Sequence, residues 1–159
     1  MTTQIDLLKE YTENTFNRID RTLNGVEDKH LKWKPTEVSN NIGWQLNHMC
    51  SIANVVLPRI ITGNQEYVPA GWPENYREIS KSLDGYKADL ASAKEAIMSK
   101  LAGLNDDELE KEIPLWRGRM VKRKAALFTY FGELVHHNGQ IAYLKGTITR
   151  LAEKDPNFI

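Results

Sequence analysis

The stretch LFTYFGELVHHNGQIAYLKGTITRL, residues 127–151, decides the fold. Its apolar residues Leu127, Tyr130, Leu134, Ile141, Leu144, Ile148 and Leu151 recur every three or four positions, the period of one face of an α-helix. His137 sits in that seam where the spacing asks for an apolar side chain, and Glu133 lies one turn before it. The pattern predicts a helix from about Val121 to Ala152. A helix with such a seam must bury it against other elements.

Three further helices supply that partner surface. Ile5, Leu8, Thr12, Thr15, Ile19 and Leu23 keep the same period, which predicts a helix from about Thr3 to Asn24 that Gly25 stops. Ile42, Leu46, Met49, Ala53, Val56 and Ile60 form the stripe of a second helix starting near Asn40, and Trp44, Ile52 and Val55 flank His48 on the adjoining stripe. Pro58 should kink its last turn and Gly63 should end it. A third helix is predicted over the periodic run Ile79, Leu83, Tyr86, Leu90, Ala93, Ile97, Leu101 and Leu104. The Pro- and Gly-bearing stretch NQEYVPAGWPENY reads as a connection long enough to cross the bundle, and Asn105 to Arg119 as another, with an extended piece around Ile113 to Trp116. The expected fold is all-α: an antiparallel four-helix bundle with long connections, in one domain over residues 1–159, and not the simplest up-down-up-down arrangement.

Bulk properties narrow the function. Lys plus Arg and Asp plus Glu both total 21, so no net field draws the 159-residue chain to nucleic acid or to an anionic membrane. No stretch approaches the roughly 20 apolar residues of a membrane span, and the N-terminus lacks a signal-peptide pattern. Cys50 is the only cysteine, which fits a reducing compartment. A soluble cytoplasmic protein acting on a small molecule is the expectation.

At about 100° per residue, Glu133 and His137 lie about 40° apart around their helix and one turn from each other, so their side chains can converge. A carboxylate and an imidazole at that spacing can mount a divalent metal, but two ligands alone bind weakly. Of the other histidines, His30 falls in a loop and His136 is turned about 100° from His137. His48, in the middle of the second helix, is the candidate third ligand. Buried polar groups need partners, and either a shared metal or a direct hydrogen bond would satisfy the two histidines.

Two stretches resemble the DinB-like (YfiT-like) superfamily of metal-dependent enzymes. HLKWKPTEVSNNIGWQLNHMCSIANVVLPRIITG, residues 30–63, carries Trp33, Pro35, His48 and the closing Gly63 in that family's order. ELVHHNGQIAYLKG, residues 133–146, carries its paired histidines followed by Gly-Gln and a Tyr-Leu-Lys run. The resemblance covers essentially the whole chain. It implies a bundle, often a homodimer, with one metal held at His48, Glu133 and His137 and with open positions beside it. Position 133 is often histidine in the superfamily. Glu133 resembles the branch of mycothiol-dependent maleylpyruvate isomerases and related thiol transferases, where His, Glu and His bind zinc. Asn138 stands where the family often has arginine, so no anion contact transfers to it.

Two histidines and a carboxylate with open coordination suit a working metal, with zinc first and nickel, manganese or iron also compatible with the donors. Such a site can turn water or a thiol into a nucleophile. The expected activity is therefore that of a hydrolase or thiol S-transferase, with a low-molecular-weight thiol as a possible cofactor. The rival is a non-catalytic stress-related binding or dimeric structural bundle with a vestigial metal site. Gln140 and His136 are candidates for catalytic residues: Gln140 can orient a ligand or water, and His136 reads better as a solvent-edge histidine. Gln45 and Asn47 read as ordinary helix polar residues, and Cys50 as a structural thiol. Trp72, Trp116, Tyr67 and Tyr76 either cap the bundle or wall a pocket. The basic run Arg117, Arg119, Lys122, Arg123 and Lys124 is either a solvated helix start or an anion clamp.

Overall fold

The computed structural model describes residues 2–115, 118–155 and 157–159. Helix α1 spans Gln4–Leu23. Thr3 opens it with a reciprocal cap: its side chain accepts from the Asp6 N–H, and the Asp6 carboxylate accepts from the Thr3 N–H. After a 3₁₀ turn at Asp28–Lys32, Asn41 caps α2 (Ile42–Ser51) by accepting from the Trp44 N–H at 2.8 Å. The helix continues through a π-helical turn, Ile52–Val56, into α3 (Leu57–Thr62). Pro58 has no N–H to offer the turn before it, and the backbone widens there, with the Leu57 N–H reaching back to the Ile52 carbonyl. The expected kink is thus taken up as a π turn just upstream of the proline. Gly63, at φ +73°, ends the helix in the left-handed region.

The third long helix, α4, spans Leu83–Ala102, shorter at both ends than its periodicity suggests. Ser82 caps it, so Ile79 lies outside it with extended backbone, and Leu104 falls beyond Gly103. The connection that follows holds a short helix α5 (Asp106–Glu110) and a strand β2 (Met120–Lys122) that the sequence pattern does not reveal; β2 forms a hairpin with β1 (Glu112–Pro114), antiparallel with Ile113 opposite Val121. The expected extended piece is β1; Trp116 and Arg117 lie outside the described residues. Helix α6 is Arg123–Lys154, and Val121, expected in it, belongs to β2.

Contacts fix the direction of each helix. Gln4 bonds to Asp106 beyond the end of α4, and Glu13 to Lys94 near its middle, so α1 and α4 are antiparallel. Tyr11 packs on Phe131 while Thr22 meets Lys145, so α1 and α6 run the same way. Cys50 meets Tyr86 and Asn54 meets Asp89, which makes α2 and α4 parallel. Gln45 meets His137 and Gly63 faces Arg123, which makes the α2–α3 unit antiparallel to α6. In chain order the four long helices therefore go up, down, down, up. The α2–α3 and α4 helices being parallel, the connection 63–82 must travel the length of the bundle, as its length suggested.

One core joins these helices, with Phe131, Leu46, Met49, Leu57, Ile97 and Leu101 among its fully buried members. Every predicted seam residue of α6 from Leu127 to Ile148 is buried, His137 included. Among the described residues no helix is long and apolar enough to cross a membrane.

Candidate metal centre

Helices α2 and α6 carry the candidate ligands toward each other across one helix–helix groove. His48, Glu133 and His137 bring one potential ligand atom each to within 4.8 Å of the others. His137 Nε2 lies 3.5 Å from Glu133 Oε2, and the His48 and His137 rings meet edge to face with centroids 4.6 Å apart. Around a tetrahedral ion with bonds of about 2.1 Å, neighbouring donor atoms sit about 3.4 Å apart. The Glu133–His137 edge already has that length, so the donors need only a modest contraction to close on one ion.

The histidine roles are set from behind. His137 is buried, and its Nδ1 lies 2.5 Å from Gln45 Oε1 and 2.9 Å from Gln140 Oε1. Both partners are carbonyl oxygens and can only accept, so Nδ1 carries the proton and donates it. That leaves Nε2 as the ring nitrogen facing Glu133, 3.5 Å from its carboxylate, and free to bind a metal. Metal-binding histidines are held in just this way by an acceptor on the far nitrogen. Gln45 is itself 4 % exposed and is therefore a built part of the site, not an ordinary helix polar residue.

His48 has a different support. Trp44, one turn earlier on α2, stacks on it with centroids 5.3 Å apart and planes 23° from parallel. Burial pushes the His48 pKa below the ordinary imidazole value, positive charge at His137 and Arg77 acts the same way, and Glu133 opposes them. His48 is thus kept neutral, the state in which an imidazole binds metal. Glu133, with a side chain 44 % exposed, leaves the centre open to solvent on one side.

Gln140 bridges the paired histidines, with its Nε2 3.1 Å from His136 Nε2, and His136 is exposed, as its place on the helix suggests. His30 is a structural histidine: its Nδ1 accepts from the Glu27 N–H at 3.0 Å. Cys50 is buried beside the Tyr86 carbonyl with its thiol pushed up to about 12 by burial, so it is an inert core residue.

The described aromatic residues of the 63–82 connection lie along the side of α4. Trp72 stacks on Tyr76 at 4.0 Å, the Tyr76 hydroxyl donates to Asp89 Oδ2, and Lys100 covers the Tyr67 ring. Three members of the basic run, Lys122, Arg123 and Lys124, are spent on α5. Arg123, itself buried, bonds to the Glu108 carbonyl and carboxylate at 3.0 and 2.9 Å, and Lys122 and Lys124 both pair with Glu110. These three cations join elements instead of clamping an anion.

The model of the DinB superfamily matches residues 11–141. No curated protein sequence matches the chain. Among solved structures, a conserved protein from Enterococcus faecalis superposes with a TM-score of 0.69 at 15 % identity, covering 91 % of this chain and 96 % of that one. A DinB-like protein from Bacillus cereus gives 0.71 at 16 % identity, covering 94 % and 95 % of the two chains. A mutant of the mycothiol-dependent maleylpyruvate isomerase gives 0.67 at 13 % identity over 89 % of this chain and 63 % of that one.

Proposed function

From the premise that the chain belongs to the DinB superfamily, we propose that it is a metal-dependent enzyme whose His48, Glu133 and His137 hold one divalent ion, zinc by preference, beside a small-molecule substrate. The observation that carries this reading is the convergence of the three donors within 4.8 Å on a centre where Gln45 holds the His137 proton on the nitrogen facing away. Bound there, a divalent ion supplies the Lewis acidity that brings the pKa of a water or a thiol toward neutrality.

The chain's own groups prepare that chemistry. Gln45 and Gln140 orient the His137 ring, Trp44 holds the plane of His48, and the Glu133 carboxylate offsets the charge of a cation at the centre. Its exposed edge marks the side from which a substrate approaches. Among reaction types, thiol S-transfer comes before hydrolysis, because a carboxylate at position 133 is the feature by which the sequence resembles the thiol-dependent branch. A low-molecular-weight thiol is then the cosubstrate. A reducing, cytoplasmic setting fits the single buried cysteine, and a homodimer is the proposed assembly.

The test is a metal titration followed by turnover assays. Zinc should bind at micromolar concentration or tighter in the wild type and be lost in His137→Ala. The zinc-loaded protein should conjugate small thiols to a chromogenic electrophile such as chlorodinitrobenzene, and a chelator should abolish the reaction. Ester hydrolysis without thiol would select the hydrolase instead. Absence of divalent-metal binding would remove the enzyme reading and leave a non-catalytic bundle.

A further inference from the structure

The loop ahead of α2, the first turns of α2 and the end of the crossover connection enclose a cleft of ≈ 680 Å³. Its walls hold five cations, Lys29, Lys32, Lys34, Arg77 and Lys81, against two carboxylates, Asp28 and Glu78. The chain is neutral overall, so this excess is local. Some cations elsewhere are matched, Lys94 by Glu13, Arg123 by Glu108, Lys122 and Lys124 by Glu110, but the cleft gathers its unmatched ones on one concave wall. In the cleft only Lys81, paired with Asp89, and Lys29, 3.5 Å from Glu27, have such partners. Asp28 is turned to the Leu83 N–H, which its Oδ1 accepts at 2.6 Å. Among the described residues Lys32, Lys34 and Arg77 have no carboxylate within ion-pair distance, and like charges gathered on one concave surface raise its potential for an anion.

The cleft adjoins the metal centre through one side chain. Trp44 lines it and also stacks on His48, while remaining 46 % exposed, unusual for so large an apolar ring. Next to His48, Asn47 donates to the carbonyls of Tyr76 and Ile79 at 2.8 and 2.9 Å and so clamps the segment bearing Arg77 against α2. The position of Arg77 relative to the centre is therefore built in.

We propose that this cleft recognises the oxyanionic end, carboxylate or phosphate, of the small molecule on which the metal centre acts. Lys32, Lys34 and Arg77 bind the anion, and the Trp44 ring carries the uncharged part of the molecule toward His48. The assignment rests on the reading of the neighbouring centre as a working metal site.

The experiment is a titration of metal-free protein with succinate and, separately, with methyl phosphate, followed in heteronuclear NMR spectra at the Gly43 and Arg77 amides and the Trp44 indole N–H. Saturable shifts at these groups are expected. Arg77→Glu and Lys34→Glu should each weaken them by about tenfold, the worth of one charge-assisted contact. Lys9→Glu, the same charge change on α1, should leave the affinity unchanged. Both reversed positions are exposed, and the spectra themselves report whether the variants stay folded. The tighter of the two probes identifies the oxyanion. Absence of a saturable shift with both probes, or shifts that survive both reversals, overturns the proposal. Because the titration is made without metal, a failure of zinc binding leaves its outcome standing, and zinc binding without anion binding sinks the cleft alone.

Discussion

At the scale of single residues, the proton on His137 Nδ1 organises the site. Two amide oxygens compete for it, and removing the nearer should release the ring. Gln45→Leu is therefore expected to weaken zinc binding about 10- to 100-fold, while Gln45→Glu, which keeps the acceptor, should hold or tighten it. Competition against a fluorescent zinc chelator measures both, and equal affinities for the leucine variant and the wild type would refute the role. His48 gives a second expectation. Its folded pKa lies below the ordinary 6.5, so the unfolded chain binds the proton more readily. The stability this gives is complete above pH 6.5 and is lost as pH falls through the lowered folded value. In metal-free protein the denaturant midpoint should drop less between about pH 7 and pH 5 in His48→Asn than in the wild type. Glu133 and His137 were legible in the sequence because a polar residue in an apolar period is conspicuous. Gln45 was not, since a glutamine on a helix is unremarkable until the helix facing it is known.

At the scale of elements, periodicity located every long helix and failed where a segment is too short to have a period. Helix α5 buries only Leu109, and strand β1 only Ile113. Ile79 matched the period of α4 but lies ahead of its Ser82 cap, where its carbonyl serves Asn47. That contact makes a prediction about an element. Asn47→Ala leaves the Tyr76 and Ile79 carbonyls without their donor and should cost about 1–3 kcal/mol in urea unfolding. Hydrogen exchange should quicken across residues 76–79 ahead of the helices, and uniform protection there would contradict the clamp. Gly63 is the other sensitive point. At φ +73° with Arg123 Nη2 3.3 Å from where a Cβ would stand, Gly63→Ala should cost about 1 kcal/mol in the same assay.

At the scale of the molecule, the up-down-down-up course depends on contacts that no local pattern contains. The sequence showed that the connection 63–82 was long; that it runs the bundle's length follows only once α2 and α4 are seen to be parallel. The overall neutrality likewise concealed an uneven distribution, with the basic start of α6 absorbed by Glu108 and Glu110 and free cations left in the cleft beside Trp44. Metal binding should register on the whole fold, since ions bound only by the native state stabilise it. At 100 times the dissociation constant the gain is about 2.7 kcal/mol, which should raise the Tm by several degrees and leave His137→Ala unaffected. The central claim is that His48, Glu133 and His137 meet at one ion, and anomalous scattering from a crystal of the zinc-loaded protein tests it most directly. The account predicts a single peak about 2.0–2.2 Å from His137 Nε2, a Glu133 carboxylate oxygen and a ring nitrogen of His48. No peak in the α2–α6 groove at saturating zinc, or one that leaves any of the three unbound, would contradict it.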